Sequence, residues 1–456
     1  ASEVGKVMAR WITEGDPGMD VSVADINRFH DHQSNHSFLS RQSKYFYEIG
    51  FDILHPNEVA SSVRNLRLAP YHDRTEALGA FYVPFASYET PYYYQSNAPL
   101  VEEFSDRIPR RHGYDATAWS PIIGAEHLAL RERAGLVDWS ASIGPLEISG
   151  PGSLSYLDYL CTNDIDIPVG EVTYTLILTP RGTVKRDVTI ARLEEERFWL
   201  LTGKSNLPAE LAYYRSYAPT DGSVAIIDRS EQFAAVGLWG PRARDILQSV
   251  TNANLSSTAF PWYSVQEIGV GMAPAVALRI SYVGELGWEI YVPQSFGRYL
   301  WDTLWEAGAD HGLAAVGMAS LFSLRIEKSY RLIGSDLTPE ITPRQAQMSW
   351  LLSRKKDFLG REGASGDGHR LVTLRFDDPA ALMYGWTPVY QSDGVVGWIS
   401  SGEFGYSVGA FLAHAFVPEE LTAPKTRLRV RYTGRFFEGD VVKGPLWDPT
   451  NARLKV

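Results

Sequence analysis

Residues 173–203 alternate between β-branched or aliphatic side chains and polar ones, and this pattern constrains the fold most strongly. Three such runs are joined by turn-forming sequences at 180–182 and 194–196, so the segment predicts an antiparallel meander. Residues 276–293 show a similar pattern around a break at 283–285 and predict a β-hairpin. We therefore expect antiparallel sheet to be a major component of the fold.

Helices alternate with these strands as far as about residue 362. Helical patterns occur at 126–135, where Gly135 is expected to end the helix, and again at 295–312 and 315–330. Beyond residue 363 the composition becomes β-rich, after a Gly-rich stretch that predicts a linker or an ordered turn. The predicted fold class is α+β, with a small β-domain at the C-terminal end.

Composition excludes several classes of function. A length of 456 residues suggests two to four domains, and a net charge of −11 argues against a general nucleic-acid binder, which needs a basic face. A single cysteine, Cys161, excludes an internal disulfide and a zinc site built from cysteines. No apolar run is long enough to span a bilayer, and the first residues have no signal-peptide core. We expect a cytoplasmic protein without a membrane partner.

Motifs for common cofactors are not found in the sequence. No Gly-x-Gly-x-x-Gly follows a strand and no Walker-type phosphate loop occurs, so neither kind of nucleotide site is expected. His30, Asp31, His32 and His36 fall in one short window, which suits either metal ligands or a polar loop that caps neighbouring helices. Short windows of this kind are weak metal motifs, so the polar loop is the preferred interpretation.

Asp187 is a candidate functional residue within the meander. Because successive side chains of a strand point to opposite faces, Asp187 and Thr189 share one face while Val188 and Ile190 share the other. Alternation alone favours a solvent-exposed face for Asp187. If that face lines a pocket instead, a carboxylate there can act as a base or stabilise a developing cation.

Two glutamates lie near the second strand of the predicted hairpin. Glu285 falls in the turn, where we expect solvent, whereas Glu289 lies in an apolar strand and is expected to face inward or to line a pocket. A carboxylate accepts two parallel N–H bonds, which suits the edge of an aminopyrimidine-type ring. Arg325, Glu327 and Lys328 are expected to form an ordinary salt-bridged helix face.

Five separate blocks of the sequence resemble the glycine-cleavage T-protein (aminomethyltransferase) superfamily, in the order and spacing of that family: 178–193, 237–247, 281–293, 317–343 and 354–362. The resemblance covers the chain from about residue 121 to its C-terminal end. The first hundred residues are similar to the segment that follows the flavin domain in dimethylglycine and sarcosine dehydrogenases. The chain therefore resembles the folate-binding half of such a demethylating oxidase, without its FAD-binding half.

This resemblance implies a three-part cloverleaf fold that ends in a β-barrel and is preceded by an oxidase-linker domain. The expected divisions are 1–120 for the linker domain, 121–362 for the folate-binding core and 363–456 for the barrel. The resemblance also implies that the chain binds tetrahydrofolate, while FAD belongs to a partner subunit or a missing domain. The implied activity is one-carbon transfer, in which the flavoprotein oxidises an N-methyl amine and tetrahydrofolate captures the carbon as 5,10-methylenetetrahydrofolate.

The family's motifs imply roles for individual residues. Asp187 matches the catalytic aspartate, which lies near the N5/N10 edge of the folate, supports a cationic intermediate and handles protons. Tyr174 matches a folate-contacting tyrosine. Tyr282 and Glu289 match a Y-x-G-E-x-G-x-E motif in which the glutamate binds the pterin's N–H edge. Trp350 matches a tryptophan near the folate.

Two features depart from the family pattern. Leu321 occupies the position of an arginine that helps hold folate in true aminomethyltransferases, which argues against aminomethyl transfer from a lipoyl protein. Lys185 and Arg186 precede Asp187, but adjacent strand positions face apart, so Arg186 is not expected to contact it. Two other functions stay open: a flavin-independent, tetrahydrofolate-dependent demethylase, and a non-catalytic folate-binding subunit.

Overall fold

The structure is a computed structural model that describes residues 2–52, 58–116 and 119–456. Its α-helices are α1 Ser2–Glu14, α2 His36–Ile49, α3 His72–Ala77, α4 Ala98–Glu103, α5 Ile122–Glu132, α6 Ser153–Leu160, α7 Leu207–Ser216, α8 Ala243–Ser249, α9 Gly297–Gly308, α10 Met318–Glu327 and α11 Ala452–Lys455. Its strands are β1 Ala80–Phe85, β2 Tyr88–Tyr94, β3 Ala134–Asp138, β4 Ile143–Ser149, β5 Val172–Leu178, β6 Val184–Glu194, β7 Arg197–Gly203, β8 Ala225–Asp228, β9 Phe233–Trp239, β10 Val265–Val270, β11 Ala273–Leu278, β12 Gly287–Pro293, β13 Leu313–Ala315, β14 Arg370–Phe376, β15 Pro388–Gln391, β16 Gly394–Gly405, β17 Ala410–Val417, β18 Arg427–Tyr432 and β19 Arg435–Val442.

The predicted meander is confirmed as strands β5, β6 and β7 of a five-stranded sheet with the order β5-β6-β7-β4-β8. Val188 and Ile190 are buried in a core that also contains residues of α6 and α7. Tyr174 pairs with Thr189 across the β5–β6 ladder. Because side chains alternate along a strand, Tyr174, Thr189 and Asp187 all lie on the face opposite to that core.

The predicted hairpin is confirmed as β11 and β12, which belong to a six-stranded sheet with the order β10-β11-β12-β9-β3-β13. Glu289 pairs with Leu278 on β11 and with Gly237 on β9. β12 is therefore an interior strand with a partner on each side. This position places the Glu289 side chain on a sheet face, not at a sheet edge exposed to water.

The C-terminal β-barrel is confirmed. Its strands close in the order β14-β17-β16-β15-β18-β19, and closure removes the free strand edges. The Gly-rich stretch before the barrel forms an ordered turn that packs against the β5–β6 turn. A Cβ atom at Gly363 would lie 1.9 Å from the carbonyl oxygen of Arg181, so this approach requires glycine. The mixture of helices, antiparallel sheets and barrel confirms the α+β class.

The helix predicted at 126–135 ends earlier than the sequence indicated. α5 stops at Glu132, and Gly135 lies inside strand β3. A Cβ atom at Gly135 would lie 2.7 Å from Leu130 Cδ1 and 2.8 Å from Val316 Cγ2. Gly135 is therefore needed for close packing between elements, which a helix-ending interpretation cannot detect.

The N-terminal segment is attached to the rest of the fold through a buried carboxylate. Glu126 on α5 accepts hydrogen bonds from the backbone N–H groups of Tyr94 and Gly317 and from the side chains of Asn97 and Ser320. These bonds tie the β1–β2 hairpin to α5 and α10. By contrast, no described side chain of α1 or α2 is buried. Among the helices of the described ranges, none is both long enough and apolar enough to cross a bilayer.

Candidate functional site

Asp187 and Tyr174 are joined by a hydrogen bond on the face of the meander that lies away from its helices. The Tyr174 phenol donates to Asp187 Oδ2 at 2.9 Å. Burial of Tyr174, together with the neighbouring charge of Asp187, raises the pKa of this phenol well above its usual value. Tyr174 therefore keeps its proton and acts as a donor. Within the described ranges Asp187 Oδ1 accepts no hydrogen bond, so one carboxylate oxygen is free for a ligand.

Glu289 is a carboxylate held in a nearly dry environment. The residue is 6% exposed, and the Tyr291 hydroxyl donates to its Oε2 at 2.7 Å. Burial raises the pKa of Glu289 to about 7, although the hydrogen bond from Tyr291 opposes this shift. A carboxylate with so little solvation gains most from a ligand that offers N–H groups to its oxygens.

Both carboxylates face one cavity of ≈ 190 Å³ between the two sheets. Its lining is rich in aromatic side chains and is drawn from both sheets and from the loops that follow them: Tyr174, Asp187, Thr189, Trp262, Tyr263, Ile280, Ser281, Tyr282, Glu289, Ser329, Tyr330, Arg331, Met348 and Trp350. All five site residues predicted from the sequence are in this lining. Trp350 is 69% exposed, which places it at the mouth of the cavity.

Four further lining residues have no recognisable signal in the sequence: Trp262, Tyr263, Tyr330 and Arg331. Tyr263 has a backbone φ of +66°, and Ser329, the residue before Tyr330, has a φ of +52°. Non-glycine residues rarely adopt this left-handed conformation, and such strain is concentrated at functional sites. Arg331 donates from Nε to the carbonyl oxygen of Ala346 at 3.1 Å, and burial lowers the pKa of its guanidinium.

Known protein families match most of the chain. The model of the GCVT N-terminal domain matches residues 71–356, and the model of the glycine cleavage T-protein C-terminal barrel domain matches residues 369–448. The chain belongs to the glycine cleavage T-protein family. In addition, the model of the FAD dependent oxidoreductase central domain matches residues 14–69. These matches confirm the resemblance found in the sequence.

Similar curated proteins include two oxidoreductases and one transferase. The 4-methylaminobutanoate oxidase (formaldehyde-forming) of Paenarthrobacter nicotinovorans is 30% identical over 100% of this chain and 55% of its own length. The mitochondrial dimethylglycine dehydrogenase of Rattus norvegicus is 28% identical over 100% of this chain and 53% of its own length. An aminomethyltransferase of Symbiobacterium thermophilum is 30% identical over 85% of this chain and 99% of its own length. The T-protein-family chain thus spans about half the length of the two oxidoreductases.

A solved structure supports the same fold. The glycine cleavage system aminomethyltransferase T of Bartonella henselae superposes with a TM-score of 0.72 and 24% sequence identity. The match covers 84% of this chain and 99% of the other. At this level of identity, the likeness establishes the cloverleaf T-protein fold and nothing about the ligand.

The side chains that line the cavity fit a reduced folate, the ligand that this family implies. Glu289 is an almost dry acceptor beside the Tyr291 hydroxyl and the Trp139 indole, and a pterin edge offers parallel N–H groups to this carboxylate. Trp262, Tyr263 and Tyr330 provide flat aromatic surfaces of the kind that pack against a planar ring. Asp187 lines the same cavity and keeps one free oxygen. The residues present are therefore compatible with the ligand.

The expectation that Glu285 is solvated was wrong. Glu285 is 1% exposed and forms ion pairs with Arg131 at 3.1 Å and with Arg453 at 2.8 Å. The Trp447 indole N–H also donates to its Oε1 at 2.7 Å. Arg453 and Trp447 lie near the C-terminal end of the chain, so the residues around the turn do not indicate that Glu285 is buried.

The salt-bridged face expected on α10 exists, but it is buried and its partners lie elsewhere in the chain. Arg325 pairs with Asp336 at 2.9 Å, and Glu327 pairs with Arg131 at 3.0 Å. Leu321, which replaces the family's arginine, is 2% exposed in the hydrophobic core and does not line the cavity.

The histidine window forms contacts with neighbouring loops. The His30 ring donates from Nε2 to the carbonyl oxygen of Lys204 at 3.1 Å, and His32 Nε2 lies 3.0 Å from Ser87 Oγ. Within the part of the chain that the structure describes, no three His, Cys, Asp or Glu side chains are grouped as metal ligands would be. These contacts correspond to the polar-loop interpretation.

Proposed function

We propose that this chain catalyses tetrahydrofolate-dependent one-carbon transfer and captures the carbon released by oxidative demethylation of an N-methyl amine as 5,10-methylenetetrahydrofolate. The observation that carries this proposal is the cavity itself. Asp187 and Glu289 come from two different sheets, yet both line one aromatic-walled space. A fold that places a buried acceptor and a partly free carboxylate in one small cavity suits a planar, N–H-bearing ligand with a reacting amine.

Each residue has a distinct task in this proposal. Glu289 accepts the N–H groups of the pterin edge, and Tyr291 holds the carboxylate in place through its hydrogen bond at 2.7 Å. When bound, tetrahydrofolate supplies two neighbouring amine nitrogens, N5 and N10, that can accept a one-carbon unit. Asp187 is the group that stabilises positive charge and moves a proton, while Tyr174 fixes its orientation at 2.9 Å.

The first test is condensation of formaldehyde with tetrahydrofolate by the purified chain. Asp187→Asn should retain folate affinity but lower the turnover by roughly 10²- to 10⁴-fold, the usual contribution of a general acid or base. Glu289→Gln should weaken folate binding instead. The matched controls are Asp310→Asn and Glu306→Gln, two exposed positions outside the cavity. A parent chain that binds no tetrahydrofolate, or an Asp187→Asn variant as active as the parent, would contradict the proposal.

The chemical form of the product separates the proposal from its alternative. With an N-methyl amine and a flavoprotein, the proposal predicts 5,10-methylenetetrahydrofolate. A 5-methyl folate formed without any flavoprotein would instead identify a flavin-independent demethylase. Mass spectrometry of the folate product after a single turnover distinguishes the two.

We further propose that a flavin domain, on a partner or on a longer form of the chain, covers helices α1 and α2. These helices expose apolar side chains that no described residue buries: Val4, Met8, Ile12, Leu39, Phe46 and Tyr47. An apolar surface of this extent marks a contact site. The family match at 14–69 and the longer oxidoreductase relatives support a flavin-containing occupant. We place the reaction in the cytoplasm as part of the same proposal.

Purification of the native assembly tests this surface. We expect FAD fluorescence to co-purify with the chain in a stoichiometric complex. Ile12→Glu and Phe46→Glu, at positions 77% and 59% exposed, should release the flavin component, whereas Val395→Glu on the barrel, 61% exposed, should not. A chain that is monomeric at high concentration and carries no flavin would contradict the partner proposal without affecting the folate site.

A further inference from the structure

A second cavity, of ≈ 250 Å³, is lined by the residues just before Asp187 and by the N-terminal segment. Lys185 and Arg186, from the beginning of β6, form part of its wall. The rest comes from residues 20–28, from the start of α7 and from the loop at 333–339. The cavity thus lies where the oxidoreductase-type segment meets the T-protein core. Junctions between modules are frequent positions for small-molecule sites.

The charges that line this cavity are balanced in number. Arg186 pairs with Glu210 at 3.2 Å. Four other charged side chains line the cavity and form no ion pair within the described ranges: Arg28, Lys185, Asp20 and Asp25. Arg28, Asp20 and Asp25 form hydrogen bonds only to nearby backbone groups among the described residues, so two cations and two carboxylates line the cavity without a counter-ion.

The wall also contains polar groups whose hydrogen-bonding capacity is unused. Arg186 is 6% exposed, and its buried Nε has no hydrogen-bond partner among the described residues. The Lys185 ammonium lies 5.2 Å from the centroid of the Tyr213 ring and forms no hydrogen bond to a described residue. The side chain of Asn206, which precedes α7, does not cap that helix. A buried donor without a partner costs free energy, so a ligand that accepts from these groups is stabilising.

We infer that this cavity binds a small amino-acid zwitterion, with its carboxylate toward Lys185 and Arg186 and its ammonium toward Asp20 and Asp25. A simple anion would be repelled by the two aspartates, and a simple cation by the lysine and arginine. A zwitterion satisfies both sets at once. The charged groups of both signs in one cavity, and not its volume, are what indicate this class of ligand.

The ligand class inferred for the second cavity agrees with the proposed function. If the chain captures the carbon of an N-methyl amino acid, the methylated amino acid and its demethylated product are both zwitterions of this class. This connection depends on the proposed function, whereas the zwitterion site depends only on the charges that line the cavity.

Calorimetric titration of the full chain with sarcosine (N-methylglycine) tests the inference. We expect saturable binding at one site, about tenfold or more tighter than acetate or methylammonium, each of which offers only one of the two charges. Lys185→Gln and Asp25→Asn should each weaken sarcosine binding by about tenfold or more. Ala209→Met, which fills the cavity without changing its charge, should abolish it. Lys44→Gln, at an exposed lysine on α2, is the control and should bind like the parent.

Three results would overturn the inference. These are the absence of saturable sarcosine binding, acetate binding as tight as sarcosine binding, and Lys185→Gln behaving like Lys44→Gln. The titration contains no folate, and Lys185→Gln should leave tetrahydrofolate affinity unchanged. A folate-binding chain without sarcosine binding therefore refutes only this site, and the reverse result refutes only the proposed function.

Discussion

Folate binding should weaken as the pH falls through neutrality, because the group that binds the pterin edge titrates there. Burial raises the pKa of Glu289 to about 7 in the ligand-free protein. The ionised carboxylate accepts N–H groups, whereas the protonated form presents a donor to them. For an acid that binds in its ionised form, affinity is present above the pKa and is lost below it.

The size of the effect follows from the ionised fraction of Glu289. With a pKa of about 7, the carboxylate is about 90% ionised at pH 8 and about 10% ionised at pH 6. The apparent Kd rises by the reciprocal of the competent fraction. Tetrahydrofolate should therefore bind roughly ten times more weakly at pH 6 than at pH 8, a difference of about 1.4 kcal/mol.

The assay is anaerobic titration of tetrahydrofolate, followed by quenching of the tryptophan fluorescence, at half-unit steps between pH 6 and pH 8.5. Trp262 and Trp350 line the cavity and provide the signal. Glu289→Gln should bind weakly and show no pH dependence in this range. A parent chain with a flat profile, or a Glu289→Gln variant with the parent's profile, would refute the role assigned to Glu289.

Three other substitutions have outcomes that follow from single contacts. Tyr291→Phe removes the 2.7 Å hydrogen bond that lowers the pKa of Glu289, so the midpoint of the binding profile should move to higher pH by about one unit. Glu285→Gln removes one of the two carboxylates that pair with the buried Arg131 and should lower the free energy of unfolding by about 2 kcal/mol in urea denaturation, while Glu306→Gln should change it little. Gly182→Ala places a Cβ atom at a residue with φ +80°, 2.2 Å from the backbone carbonyl carbon of Gly363. This substitution should destabilise the chain by about 2 kcal/mol or more in the same measurement. Unfolding midpoints equal to that of the parent would contradict the last two predictions.

Local sequence patterns were sufficient to predict the strands that position the site. The alternation in 173–203 predicted the meander, whereas the pairing of Tyr174 with Thr189 also depends on a register shift between Ile177 and Leu178 that alternation does not reveal. The apolar surroundings of Glu289 likewise predicted its inward orientation. Alternation alone favoured solvent for Asp187, since a period of two cannot show what covers the opposite face of a sheet; only the resemblance to the family indicated a pocket there.

Other features depended on contacts between residues far apart in the chain. Glu285 was expected to be solvated, but its ion-pair partners Arg131 and Arg453 lie 154 and 168 residues away. Gly135 was interpreted as a helix end because its packing against Val316 has no local signature. The second cavity combines residues 20–28 with Lys185, and no pattern within either segment indicates their proximity.

We propose that Asp187 and Glu289 contact two different edges of the pterin of one reduced folate, and a crystal structure of the chain with tetrahydrofolate tests this most directly. We expect a pterin ring between the two sheets, with its N–H edge within hydrogen-bond distance of Glu289 and its N5 beside Asp187. Density for the folate outside this cavity, or a pterin edge that avoids Glu289, would contradict it.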